Sequence, residues 1–311
     1  MKLTFKTPAK INLGLFILRK RTDGYHELET LFQMVGLYDE MEVECLPSPG
    51  IEFHCDHPDI PSDSANLAFQ AARLLWDAFP DRVRHGVRIK LNKVIPSGAG
   101  LGGGSGNAAG TLMGLNALWN LRLTRQDLMQ LAPKLGADVA FFLSTPCALG
   151  AGRGERLTPA QPAAKKFYAL VVFPRFQIAT AWVYKNLNLE LTKKENNISI
   201  LRKFLSQSEI ASLGDSLRND LEPVVIQKYP VIQTLKDELK ACGAQGALMS
   251  GSGSAVFGVF ENLERAKNAR ANLKRKNWDV FLTETISCFS EFLPEKILNY
   301  PQGNEDIPQG T

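Results

Sequence analysis

Pro96-Ser97-Gly98-Ala99-Gly100-Leu101-Gly102-Gly103-Gly104-Ser105-Gly106-Asn107-Ala108-Ala109 is the stretch from which the fold can be read. Glycines let the backbone take positive φ and let a ligand approach closely. A helix from Asn107 to about Trp119 follows, and its small residues Ala108, Ala109, Gly110 and Thr111 allow it to pack tightly behind the loop. The start of such a helix offers unpaired N–H groups and the positive end of its dipole, which together favour a phosphate. A Walker-type loop requires Gly-Lys-Ser/Thr, and no lysine lies here. Gly98-x-Gly100-x-x-Gly103 satisfies the dinucleotide-binding pattern formally, but β-rich sequence precedes it instead of a single βαβ unit. On the loop alone, a glycine turn without a ligand stays open.

Upstream, Val87–Leu91 alternates like a half-buried strand, and Asn66 opens a helix with Leu67, Ala71, Leu74 and Leu75 on one face. Residues 3–18 read as a strand that ends in the turn Arg21-Thr22-Asp23-Gly24. Leu28–Val35 and Glu40–Cys45 read as two further strands, and residues 45–64 as loop around Ile51-Glu52-Phe53. Downstream, Asp127–Leu135 is a short amphipathic helix ended by Gly136. A Gly/Pro-rich stretch over 150–162 marks a domain boundary. Phe167–Phe173 is a buried strand. Helices over 179–186, 198–205 and 224–242 follow, with a polar stretch after the first. Ala247–Phe260 is a strand broken by a second Gly/Ser turn, then come a helix over 263–276 and a strand over 278–285. This divides the chain into 1–158, 159–295 and a disordered tail over 296–311.

The chain has 311 residues, 44% hydrophobic and 22% charged, enough for two domains that fold without disulfide or metal. The net charge is +4 and the basic residues are scattered, which excludes a nucleic-acid-binding stripe and suits polyanionic small molecules. Five cysteines without a CxxC pair point to a reducing compartment. No apolar run approaches a membrane span, and Met1-Lys2-Leu3-Thr4-Phe5 enters a strand pattern directly, so a cytoplasmic protein without membrane contact is expected. His54-Cys55-Asp56-His57 has the residue types of a metal site but no second ligand cluster, and reads as an incidental surface loop.

Further stretches complete the reading: Thr7-Pro8-Ala9-Lys10-Ile11-Asn12-Leu13, Asp23-Gly24-Tyr25-His26-Glu27-Leu28, Gly136-Ala137-Asp138-Val139-Ala140, Asn219-Asp220-Leu221-Glu222-Pro223 and Met249-Ser250-Gly251-Ser252-Gly253-Ser254. With the glycine loop they resemble, in order, the motifs of GHMP kinases, and the Tyr25-His26 motif resembles the diphosphocytidyl-methylerythritol kinase branch. The resemblance implies an α+β, two-domain GHMP kinase fold with a ferredoxin-like C-terminal domain. It also implies a Mg²⁺-assisted transfer of the ATP γ-phosphoryl group to a small alcohol. The sequence leaves monomer and homodimer both open.

Phosphoryl transfer needs positioning, charge stabilisation and a group to orient the nucleophile. Asp138 precedes a buried apolar run; by the resemblance it is the catalytic base, and the plain alternative is a helix N-cap. Lys10 stands between apolar strand residues, and the resemblance places it beside Asp138. Asn12, two residues on, faces the same side and is implied at the substrate. Tyr25 and His26 are implied in cytosine recognition, with Tyr184 on the ring's other face and Trp182 as its rival. Pro96, Gly98, Gly100, Leu101, Gly102, Gly103, Gly104 and Ser105 are implied around the ATP phosphates, and Asn66 at the adenine. Gly106 stands where the family usually has a second hydroxyl, which leaves Ser105 as the hydroxyl for Mg²⁺.

Overall fold

The computed structural model describes residues 1–187, 198–274 and 276–299. The polar stretch at 188–197 and the tail from residue 300 lie outside the described residues. The first sheet is built on a long antiparallel pair, β1 (Lys2–Lys20) and β2 (His26–Leu46). Two strands were expected where β2 runs unbroken. The register instead slips between Pro8, opposite Tyr38, and Ala9, opposite Val35. Proline has no N–H to give to the ladder, so the irregularity falls beside it without ending the strand.

Strands β3 (Ile51–Cys55), β4 (Gly86–Asn92), β5 (Cys147–Gly152), β6 (Arg156–Pro159) and β8 (Arg218–Asn219) complete the sheet. Its order is β3-β4-β2-β1-β8, with β5 sharing the β2 edge and β6 outside β5. Helices α1 (Leu67–Ala78), α2 (Gly103–Leu118), α3 (Arg125–Leu131) and α4 (Val139–Ser144) join it in one apolar core. On α1 the buried residues are Ala68, Ala71, Ala72 and Leu75, not Leu67 or Leu74. Small alanines let the helices approach closely. Helix α2 is buried almost all round. A Cβ on its Gly110 would lie 2.4 Å from Thr7 Cγ2, so glycine is what lets it lie against β1.

The second sheet contains β7 (Tyr168–Phe173), β9 (Gly246–Met249), β10 (Val256–Phe260) and β11 (Asp279–Glu284), all pairs antiparallel. The order β11-β7-β10-β9, with α9 (Val231–Ala241) and α10 (Leu263–Leu273) between strands, is ferredoxin-like. The expected helix over 224–242 is two, α8 (Glu222–Lys228) and α9, divided at Tyr229-Pro230. Shorter helices α5 (Thr180–Lys185), α6 (Ile198–Ser206) and α7 (Ile210–Ser216) precede them.

After β11 the chain returns to the first core with Phe289, Phe292 and Leu293, then forms α11 (Glu295–Leu298), whose Ile297 is fully buried. The tail expected from 296 therefore begins with a packed helix. A shared apolar seam joins the sheets: Ala9, Ile11, Leu13 and Leu31 meet Val171, Leu248 and Phe257. Strand alternation then turns Lys10 and Asn12 to the opposite face, toward a cavity.

Candidate active site

A cavity of about 950 Å³ opens between the glycine loop, the β1–β2 hairpin and α5. It is lined by Lys10 and Asn12 of β1, Leu28, Thr30 and Phe32 of β2, and Gly98, Gly100, Gly102 and Ser105. Asp138, Tyr25, His26, Arg153, Tyr184 and Gly251 complete the wall used below. Residues distant in sequence thus meet on one surface.

Lys10 is almost wholly buried. Its Nζ donates to Asn12 Oδ1 at 2.6 Å and lies 3.7 Å from Asp138 Oδ2. The Phe32 ring lies beneath the ammonium, 5.5 Å to its centroid. Burial pulls the Lys10 pKa down, and Asp138 works against that pull. The Asp138 side chain caps nothing. It sits at the start of α4 without a capping hydrogen bond and is one-third exposed toward the cavity. An acid and a buried cation within reach of one ligand atom can orient a hydroxyl and hold charge that develops on an oxygen.

The glycine loop lies beside this pair. Leu101 itself is buried in the seam, and its carbonyl accepts the Lys10 backbone N–H at 2.9 Å. Gly100 and Gly102 take φ of +77° and +70°. Helix α2 starts at Gly103, four residues before the expected Asn107, so Gly103, Gly104 and Ser105 form its first turn. Those first N–H groups have no helical acceptor, and no side chain caps them. Unpaired N–H groups at a helix start can hold a phosphate, and of these three residues Ser105 lines the cavity. A Cβ on Gly106 would point at the Pro8 carbonyl, 3.0 Å away, and not into the cavity. That position is one of packing. Behind the loop, Asn107 donates to Thr7 and Asp39, and Asp39 pairs with Lys93 at 2.6 Å.

The second Gly/Ser turn is fastened to the first. Ser250 Oγ donates to the Gly100 carbonyl at 2.9 Å, and Ala255 N–H to that of Ala99 at 3.1 Å. A Cβ on Gly251 would lie 3.2 Å from Lys10 Nζ and 3.4 Å from Asn12 Oδ1, so glycine leaves those groups room. Asn219 Nδ2 holds this turn through the carbonyls of Met249 and Gly251, at 2.8 and 2.7 Å. Its neighbour Asp220 takes the Ile17 N–H, and Glu222 the Met249 N–H. The 219–223 motif therefore braces the turn and does not line the cavity beyond Leu221.

At the other end, His26 stacks on Tyr184 with ring centroids 5.4 Å apart. Trp182 instead packs edge-on against Tyr229. Burial, with Lys20 nearby, holds His26 below its ordinary pKa, and burial pushes the Tyr184 phenol up. Tyr25 is exposed, with the Arg153 guanidinium 4.4 Å over its ring.

Pro96, Gly103, Gly104 and Asn66 do not line the cavity. The Asn66 amide is occupied at the start of α1, accepting from Ala68 N–H and donating to the Pro61 carbonyl. Asp56 and His57 are likewise engaged in loop hydrogen bonds. No group of three or more metal-ligating side chains occurs among the described residues. Thr30, Phe32 and Arg153 line the cavity without a role assigned to them from the sequence, and Asn219 is marked there only as part of a motif. An alternating strand carries no local mark for the first two.

This arrangement can be set against known proteins. The GHMP kinases N terminal domain matches residues 66–145 and the GHMP kinases C terminal domain residues 201–280. A Syntrophus aciditrophicus protein named 4-diphosphocytidyl-2-C-methyl-D-erythritol kinase is 45% identical over 288 residues, covering 91% of this chain and 99% of the relative. The chain belongs to the 4-diphosphocytidyl-2-C-methyl-D-erythritol kinase family of GHMP kinases. A Citrifermentans bemidjiense protein of the same name is 43% identical over 92% of this family member and 99% of itself. The crystal structure of a 4-(cytidine 5'-diphospho)-2C-methyl-D-erythritol kinase superposes with a TM-score of 0.78 at 37% identity, covering 92% and 99% of the two chains. Cytophaga hutchinsonii homoserine kinase, at 19% identity and a TM-score of 0.72, shares the GHMP fold. Membership in a GHMP kinase family implies use of ATP. No helix among the described residues is long and apolar enough to cross a membrane.

Proposed function

We propose that the protein phosphorylates the 2-hydroxyl of 4-diphosphocytidyl-2-C-methyl-D-erythritol with ATP, in the methylerythritol phosphate route to isoprenoid precursors. One observation carries this reading: a single cavity joins a phosphate cradle, an acid–cation pair and an aromatic wall. The cytosine lies against the Tyr25, His26 and Tyr184 wall, which leaves the sugar alcohol near Asp138. Asn12 helps position the alcohol. The ATP phosphates lie along Gly98–Ser105, and Asn66 supports the adenine end through α1. The P–O bond between the β- and γ-phosphates breaks as the 2-oxygen bonds to phosphorus. Asp138 orients the hydroxyl and takes its proton, and Lys10 stabilises negative charge on the moving phosphoryl oxygens.

The donor set fits Mg²⁺, which binds through substrate phosphates, water and few protein groups. Ser105 is the hydroxyl available to it, and the ion neutralises phosphate charge when bound. The test is conversion of the cytidyl substrate by purified protein with Mg-ATP, with Asp138→Asn alongside. Product from the wild type and a rate at least about a hundredfold lower from the variant is expected. Turnover of mevalonate but not of the cytidyl substrate would overturn the acceptor. An Asp138→Asn variant of wild-type rate would overturn the role of the carboxylate.

A further inference from the structure

We infer that Thr30 is a positioning residue for phosphoryl transfer, acting through Asn12 to keep Lys10 charged and aimed. The inference rests on the kinase reading above and adds a residue that it does not use. Thr30 is 1% exposed and sits on β2 opposite Leu15. Its Oγ1 donates to the Gly14 carbonyl at 2.7 Å and accepts from Asn12 Nδ2 at 2.8 Å. A hydroxyl has one proton. With that proton committed to Gly14, the oxygen facing Asn12 can only accept. The Asn12 amide must therefore point its NH₂ at Thr30 and its Oδ1 at Lys10, where it accepts from Nζ at 2.6 Å.

The polarity of the chain decides what the ammonium can do. Lys10 has three donors. Asn12 holds one and Asp138, the charged group facing it, lies along another. The Phe32 ring lies beneath the ammonium, and Gly251 lacks the Cβ that would come within 3.2 Å of Nζ. One donor is left for a ligand oxygen in the cavity. If the amide reversed, its NH₂ would face the ammonium, and the cation would lose its neutral acceptor. The Gly14 carbonyl is available to Thr30 because the β1–β2 register slips between Asn12 and Gly14. The irregularity thus has a use: it brings a main-chain acceptor to the hydroxyl that sets the amide.

Thr30→Val keeps the shape and removes the hydroxyl, whereas Thr30→Ser keeps the hydroxyl. Because Thr30→Val frees the Asn12 amide to turn its oxygen away from the charged amine, the alkaline limb of kcat against pH should move to lower pH in Thr30→Val. Its kcat at neutral pH should fall about ten- to a hundredfold, the range for a hydrogen bond to a charged group, and by more than KM rises. Thr30→Ser should restore both. A readout independent of turnover is the NMR titration of the Lys10 Cε signal, assigned with Lys10→Arg, in folded protein without substrates. Its midpoint should lie lower in Thr30→Val than in wild type or Thr30→Ser. Equal midpoints, or a kcat and pH profile unchanged in Thr30→Val, would overturn the inference. If wild type transfers no phosphate but the midpoint still moves, the kinase reading fails while the control of Lys10 by Thr30 through Asn12 stands.

Discussion

Gly100→Ala tests the contact between the two glycine turns. A Cβ at Gly100 would fall 2.0 Å from the Ser250 carbonyl oxygen and 3.1 Å from Gly253 N, both main-chain atoms. Neither can swing aside like a side chain. The residue also takes φ of +77°, which costs an L-residue about 1–2 kcal/mol. Moving the turn away adds about 1–3 kcal/mol of overpacking. Losing the Ser250 Oγ to Gly100 bond adds about 1 kcal/mol. The sum is about 3–6 kcal/mol, which for a chain of this size lowers Tm by roughly 5–9 °C. Activity should fall further than the melting curve suggests, because the displaced turn includes Gly251 against Lys10. Gly104→Ala is the control. Its Cβ meets nothing nearer than Leu67 Cδ1 at 3.6 Å, its φ is ordinary, and alanine favours the first turn of α2. Differential scanning calorimetry of the two variants measures the contrast in stability, and steady-state rates of Gly100→Ala against wild type measure the loss of activity. If Gly100→Ala melts with wild type, the turns are not in contact as described and the reasoning fails.

Two further outcomes follow from the geometry. Burial and Lys20 hold His26 below its ordinary 6.5, so the folded state binds fewer protons than the unfolded chain there; its contribution is complete above pH 6.5 and is lost as pH falls through the depressed value. The KM for the cytidyl substrate should be flat above pH 6.5 and rise on acidification, and His26→Gln should lose that dependence; a slope preserved in the variant would assign it to another group. Asn219→Asp should destabilise more than Asn219→Ala in urea unfolding, because a carboxylate cannot donate to the Met249 and Gly251 carbonyls and repels them. Leaving those two buried acceptors unmet costs about 2–6 kcal/mol in either variant, and a wild-type unfolding midpoint in either variant would contradict the donor role.

The features legible in the sequence are those whose cause is local. The glycine loop, the Asp-Gly turn, the Asn66 cap and the strand alternation that puts Lys10 and Asn12 on one face each follow from neighbours a few residues away. The two-sheet architecture came from recognising ordered motifs and not from periodicity. The remaining features depend on distant partners. Thr30 is one of several threonines until Gly14 is brought beside it. Asn219 is only the first residue of a motif until its amide is seen to hold carbonyls at 249 and 251. Gly106 stands out as a missing hydroxyl in the sequence, yet the space beyond its Cα is filled by the Pro8 carbonyl. Helix α11 is too short to announce itself, and its burial comes from a core formed by the first sheet.

The charge arrangement explains why so buried an amine can be retained. The cavity lining includes Lys10, Lys20, Arg153 and Lys185 against the single carboxylate of Asp138. Of these, Lys10 alone is buried; Lys20 and Lys185 are exposed. Isolating an ammonium from water is unfavourable unless it is paired and hydrogen-bonded. Asn12 supplies the hydrogen bond, and Asp138 supplies a partner 3.7 Å away, beyond direct contact. That separation leaves the pair incompletely satisfied, with one face of each group toward the cavity. A phosphoryl oxygen approaching Lys10 and a hydroxyl approaching Asp138 would complete both sets of interactions at once. The protein holds these groups apart through elements fixed elsewhere: β1 by its ladder, α4 by its apolar core, and the Gly251 turn by Asn219. The gap between acid and cation is therefore preorganised for a reaction that places an oxygen and a phosphorus between them.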